Sequence, residues 1–169
     1  MTDPFQRIAI IGMGLIGSSI ARAARLHLPD VRIVAHDASP AVRQRLRELK
    51  IADSIAETAA AAVHGADLVI LAVPVGAFAA LGPLIAPALG DGAILSDVGS
   101  VKQVAIDVLE PLLPEGVALV PAHPVAGTEE SGPDAGFPTL FEDRWCILTP
   151  PPGTPDTAIR RLADFWAAL

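Results

Sequence analysis

The chain has 169 residues, half of them apolar, which suits one domain built on one core. Its 12 basic and 19 acidic side chains leave a net charge of -7, and this speaks against nucleic acid or an anionic membrane as partner, since both need a basic face. No apolar run reaches membrane-spanning length, Met1-Thr2-Asp3-Pro4-Phe5 carries no signal-type segment, and the single Cys146 allows no internal disulfide, so a reducing, cytoplasmic setting is expected.

Arg7-Ile-Ala-Ile-Ile11 is an apolar run of strand length. It leads into Gly-x-Gly-x-x-Gly at Gly12, Gly14 and Gly17, then into a helix-forming stretch. In this arrangement the first glycine allows a tight turn and the second lets backbone approach a pyrophosphate. The third lets the helix pack close to the strand. Met13, Leu15 and Ile16 complete the turn, and the amides that open the helix point at phosphates whose charge the helix dipole favours. Arg32-Ile-Val-Ala-His36 reads as a second strand. Asp37 follows it, twenty residues after Gly17, where a carboxylate accepts hydrogen bonds from both ribose hydroxyls of an adenosine. No arginine stands directly after Asp37, so NAD is expected in preference to NADP. Arg43 and Ser39 are the side chains that could fold back toward a 2′-phosphate.

Beyond Asp37, residues 40–49 read as a helix with Ser39 as N-cap and Pro40 at its first position. A short connection over 51–55 leaves room for a brief strand, and 58–63 is a small alanine-rich helix. Leu68-Val-Ile-Leu-Ala72 is a continuous apolar run of the kind a buried parallel strand shows. Helix follows over 75–89, broken by Gly82-Pro83 and Pro87. A strand over 93–97 ends at Asp97, a helix over 101–113 stops at Pro114, and a strand covers 117–120. A polar, glycine-rich loop spans 123–142, a last strand covers 145–149 with Cys146 as a small buried hydrophobe, and an amphipathic helix covers 155–169. Strands alternating with helices imply an α/β fold: a doubly wound, mostly parallel Rossmann sheet with helices on both faces. All of 1–169 is then one dinucleotide-binding domain. Ending on a helix, the chain reads as the N-terminal domain of a longer protein.

Ligands of such sheets bind outside the carboxyl ends of the strands. Val73 and Pro74 lie there, where a nicotinamide ribose would pass. Asp97-Val-Gly-Ser-Val-Lys102 and Pro121-Ala-His-Pro-Val-Ala-Gly-Thr-Glu-Glu-Ser-Gly132 follow at later strand ends. His123 matters most, because imidazole exchanges a proton near neutral pH and suits removal of a hydroxyl proton as hydride leaves the same carbon. Ser100 either holds a substrate hydroxyl or the imidazole, or caps the helix that starts at Val101; both can hold together. Lys102 attracts substrate carboxylates or is simply a solvated lysine. Thr128 and Glu129 contact substrate or hold the loop by local bonds. His27, His36 and His64 have no such context, and no metal-ligand spacing is present.

Gly-Met-Gly-Leu-Ile-Gly-Ser-Ser at 12–19, Asp-Val-Gly-Ser-Val-Lys at 97–102 and His-Pro-Val-Ala-Gly-Thr-Glu-Glu-Ser-Gly at 123–132 together resemble the prephenate dehydrogenase family, which includes arogenate and cyclohexadienyl dehydrogenases of tyrosine biosynthesis. The likeness covers essentially the whole chain, and its histidine block is far more specific than the glycine fingerprint. It implies an NAD(P)-dependent oxidative decarboxylation of prephenate or arogenate, in which His123 assists deprotonation of the 4-hydroxyl and Ser100 orients that hydroxyl. By the same likeness Ser100 also lies against the cofactor, and Thr128 and Glu129 line the substrate pocket. Family members carry a second, helical domain that makes a homodimer, and that domain is not part of these 169 residues. Two other readings compete. A 3-hydroxyacid dehydrogenase or imine reductase would share the glycines but not the His123 block, and a non-catalytic NAD-sensing module would have no use for Ser100 and His123.

Overall fold

Six strands follow the apolar runs in a computed structural model, which describes residues 5–169. The reading of the first residues as free of a signal segment falls, for Met1 to Pro4, outside the described residues. The strands are β1 (Arg7–Ile11), β2 (Arg32–His36), β3 (Ser54–Ile55), β4 (Leu68–Leu71), β5 (Ile94–Asp97) and β6 (Ala118–Leu119). They pair in the order β3-β2-β1-β4-β5-β6, and every pairing is parallel. This is the doubly wound order in which the chain reverses direction across the sheet beside the first strand.

Side chains alternate across each strand, so both faces must be covered. Ile8, Ile10, Leu68 and Ile70 pack under α1 (Leu15–His27), α2 (Pro40–Leu49) and α6 (Asp156–Ala168). Ala9, Ile11, Val69 and Leu71 pack under α3 (Ala59–Val63), α4 (Phe78–Ile85) and α5 (Lys102–Leu109). The expected breaks in the fourth helical stretch are present: single 3-10 turns at Val75–Ala77 and Ala86–Ala88 flank α4. Pro83 lies inside α4, where it removes one intrahelical hydrogen bond, and the helix ends two residues later at Ile85. α6 is fastened by aromatic edges: Phe165 meets Phe5 and Trp166 edge-on, and Trp166 meets Phe141.

Three expectations need correction. The strand over 117–120 is only Ala118–Leu119. The loop expected from residue 123 begins instead with a strand, β7 (Ala122–Pro124), which pairs antiparallel with β8 (Cys146–Leu148) in a separate two-stranded ribbon. The last strand therefore does not join the main sheet. Pro121 precedes the short run and Pro124 ends it, and neither has an amide to donate to a ladder, which hid the strand in the pattern. Finally, α5 starts at Lys102 with Val101, not Ser100, as N-cap and with no side-chain cap.

Candidate functional site

Because the sheet is wholly parallel, the segments after β1, β2, β4 and β5 all emerge at one edge. The turn after β1 is set by glycine. Gly12 has φ +90°, a conformation side chains avoid, and an added Cβ would lie 2.5 Å from the Ala72 carbonyl oxygen. At Gly17 a Cβ would lie 2.0 Å from the Gly12 carbonyl oxygen, so α1 can sit this close only without one. At Gly14 a Cβ would meet nothing within 4 Å. Gly14 is also the N-cap of α1, with no side-chain cap and no acid in the first turn. The first amides of a helix lack partners within it. They open here onto free space with the positive end of the helix dipole behind them, an arrangement that fits a phosphate.

Beside this turn lies a cavity of about 500 Å³, lined by Gly12, Met13 and Gly14 on one side, His36, Asp37 and Ala38 at the end, and Val73, Pro74 and the α4 side chains Ala80, Leu81 and Leu84 opposite. Its apolar wall suits a flat base and its polar end a ribose. Asp37 accepts the Met13 amide on one oxygen (2.9 Å) and the Ser39 amide on the other (2.9 Å). A carboxylate has about four acceptor positions, so room for two hydroxyls is left. Ser39 caps α2 through the Val42 amide, as expected. Arg43 does not reach over the cavity. It donates to the carbonyls of Asp37 and Ala38 and pairs with Glu57. His36 was passed over in the sequence as contextless. It is buried, its Nδ1 lies 2.9 Å from the Ala56 carbonyl, and its own carbonyl accepts the Gly12 amide, so it shapes the cavity floor.

Further along the same edge are Asp97, Ser100 and His123. Asp97 is buried at the end of β5, and burial pushes its carboxyl above the usual range against the pull of Lys102. Lys102 donates to Asp97 Oδ2 (2.5 Å) and to the Ala122 carbonyl (2.7 Å). It is therefore neither a substrate handle nor a solvated lysine. It clamps the end of β5 to the residue before His123. The spacing of five residues between Asp97 and Lys102 was the available signal, and only a bent loop between them brings the two together. His123 is half-buried, and its Nδ1 is buried with no hydrogen-bond partner. Ser100 is exposed and its hydroxyl makes no hydrogen bond among the described residues, so no bond joins it to His123. Cys146, across the ribbon, is half-buried rather than fully buried, and desolvation pushes its thiol up to about 12.

The loop after His123 is tied down at its far end. Arg22 of α1 donates to the Pro133 carbonyl (2.9 Å), and Ser19 Oγ accepts the Phe137 amide (3.1 Å). Arg45 of α2 forks onto Asp134 and holds its carboxyl below the usual range. Thr128 and Glu129 lie exposed in the untethered part, where Thr128 Oγ1 accepts the Glu130 amide (3.1 Å). Among the described residues no cluster of His, Cys, Asp and Glu could hold a metal ion, and no helix is long and apolar enough to cross a membrane.

Residues 20–169 match the family model for the nucleotide-binding domain of prephenate dehydrogenase. The match starts inside α1, so the glycine turn stands ahead of it. A cyclohexadienyl dehydrogenase of Zymomonas mobilis is 49% identical over 98% of this chain and 56% of its own length. A prephenate dehydrogenase of Bacillus subtilis is 35% identical over 93% of this chain and 43% of its own. Among solved structures, prephenate dehydrogenase from A. aeolicus, in complex with hydroxyphenyl propionate and NAD+, superposes with a TM-score of 0.87 at 28% identity, covering 96% of this chain and 57% of that one. The chain spans about half the length of the curated relatives it matches.

Proposed function

We infer that this chain, which belongs to the prephenate dehydrogenase family, is the nucleotide-binding half of an NAD-dependent dehydrogenase acting on prephenate or arogenate. The observation that carries the reading is the partnerless Nδ1 of His123, buried at the same sheet edge as a cavity built for a dinucleotide. A structural histidine at a strand end would have its ring nitrogens bonded. An NAD-sensing module would need the cavity alone.

In the proposed reaction the ring loses carbon dioxide and becomes aromatic. The nicotinamide, when bound, supplies the acceptor for hydride from the ring carbon that bears the hydroxyl. His123 takes the hydroxyl proton as hydride departs; the electron pair of the breaking carbon–carboxylate bond then aromatises the ring, and the imidazolium returns the proton to the same oxygen. Ser100, with its free hydroxyl, orients the substrate oxygen beside the imidazole. Lys102 and Asp97 touch no substrate; they position His123 by holding Ala122. Thr128 and Glu129 face the substrate side. Gly12, Met13, Gly14, Leu15, Ile16 and Gly17 hold the pyrophosphate, Asp37 the adenosine ribose, and Val73 and Pro74 pass the nicotinamide ribose. A second, helical unit closes the substrate side and forms a homodimer, and the protein works in the cytoplasm, in keeping with its single half-buried thiol.

Asp37 sets the cofactor: its carboxylate accepts ribose hydroxyls and repels a 2′-phosphate. Calorimetric titration of the chain with each nucleotide tests this. NAD binds more tightly than NADP if the reading holds, and tighter NADP overturns the preference.

A further inference from the structure

Arg43 stands six residues after Asp37, near the start of α2, and its side chain is only 13% exposed. Nη1 donates to the carbonyls of Asp37 (2.8 Å) and Ala38 (3.2 Å). The cation therefore sits against the turn that carries the ribose carboxylate. The other edge of the guanidinium is closed by one oxygen of Glu57, which lies 3.2 Å from Nε and 3.1 Å from Nη2. The second oxygen of Glu57 is held by Arg47. Glu57 leaves the end of β3 right after Ala56, whose carbonyl is bonded to His36 of the cavity floor. The fork of Nε and Nη2 is one with which a guanidinium grips phosphate oxygens. A carboxylate oxygen of this chain occupies it.

We propose that Glu57 determines nucleotide specificity by holding Arg43 on its own carboxylate and so withholding it from a 2′-phosphate. The proposal rests on the dinucleotide reading of the cavity. Two devices then disfavour NADP. Asp37 repels the extra phosphate directly, and Glu57 removes the cation that would offset that repulsion. Arg47 holds Glu57 in this role by satisfying its other oxygen. Glu57 itself is a positioning residue, since it acts through Arg43.

The test is calorimetric titration of the 169-residue chain with NAD and with NADP at low ionic strength, where exposed charges are least screened. Four proteins are compared: wild type, Glu57→Gln, Arg43→Gln and the double variant. Glu57→Gln keeps the side-chain size and removes the charge. Its NADP dissociation constant falls about two- to fivefold, the scale of one exposed ion pair. NAD, which has no phosphate at that hydroxyl, changes by less than about twofold. The gain for NADP disappears when Arg43→Gln is also present. This separates release of Arg43 from mere loss of a negative charge near an anionic ligand. Unchanged NADP affinity in Glu57→Gln, or an equal gain in the Arg43→Gln background, overturns the proposal. A wild type that prefers NADP overturns the Asp37 preference instead, and leaves the Glu57 comparison to be decided by the same two outcomes.

Discussion

In the proposed reaction His123 and Ser100 carry the chemistry, and Lys102 holds the residue before His123 in place. His123→Asn keeps some hydrogen-bonding capacity but cannot accept the proton. If the proposed reaction holds, turnover of a longer protein that contains this chain should fall about 10²- to 10⁴-fold, the usual contribution of general-base assistance. NAD affinity should stay near wild type, because the cavity around Gly12, Gly14 and Asp37 lies on other strands. Ser100→Ala should act in the same direction and more weakly. Steady-state kinetics with a parallel NAD titration checks both; near-normal turnover, or loss of NAD binding, leaves His123 a structural residue of β7. Lys102→Met tests the clamp. It leaves the buried Asp97 carboxylate without its cation, and removing one partner of such a pair costs about 3 kcal/mol. Burial already raises Asp97, so the folded state holds that proton more tightly than the unfolded chain does. Stability from this group is thus present at acid pH and lost as pH climbs through the raised value. The deficit of Lys102→Met should be largest at neutral pH and shrink under mildly acid conditions. Chemical melts at the two pH values decide it, and a deficit that grows toward acid would reverse the assignment. The glycine turn and the position of Asp37 beside it were legible in the sequence, because a strand, three spaced glycines, a helix and a second strand fix where they lie. His36, Arg43 and the Asp97–Lys102 clamp were not, because their partners are backbone carbonyls or a folded turn.

At the scale of elements, the helices and the four strands β1, β2, β4 and β5 were readable from their apolar patterns, and some ends from a local signal. Ser39 caps α2, Thr58 caps α3 through the Ala61 amide, and Pro114 stops the turn that extends α5. The first strand of the ribbon was not readable, since three residues that follow one proline and end on another carry no period. Its loop is nonetheless firmly placed, because residues 133–137 dock on α1 and α2. Gly136 is the tightest point of that dock. A Cβ there would lie 2.2 Å from Ser18 Oγ and 2.9 Å from the Ser19 amide nitrogen. Ser18 is fully buried and already donates to the Gly14 carbonyl, so it has little freedom to move aside. Gly136→Ala should lift the loop from the helix and cost about 1–3 kcal/mol, the range for overpacking. The Phe137 amide, now bonded to Ser19 Oγ, should exchange with solvent faster. Hydrogen exchange with a thermal melt reads both, and unchanged protection at Phe137 would count against the dock. This contact also joins the helix that opens at the phosphate turn to the loop that bears Thr128 and Glu129, so a lifted loop should weaken substrate binding more than nucleotide binding.

The whole molecule divides by exposure. Its nucleotide side is finished: the glycine turn is packed, the cavity is walled by α4, and Asp37 is already held by two amides. The side on which the proposed reaction places the substrate is open. Ser100, Thr128 and Glu129 are exposed, and on the ribbon face that His123 shares, Val125 and Ile147 are about half exposed and Trp145 is 83% exposed. Hydride and proton transfer need the reacting groups held in place and shielded from water. Among the described residues none covers Ser100, Thr128 or Glu129. The 169-residue chain alone should therefore bind NAD yet oxidise prephenate or arogenate far more slowly than about 1 per second, the low end of ordinary enzyme turnover. Calorimetry with NAD and a spectrophotometric assay of nicotinamide reduction measure the two halves of this expectation separately. If the chain reaches ordinary turnover by itself, the exposed ribbon face is not a missing wall of the site, and the chain's own loops close over the substrate. If it binds NAD and stays inactive while a full-length relative turns over both substrates under the same conditions, the division between a complete cofactor side and an incomplete substrate side holds.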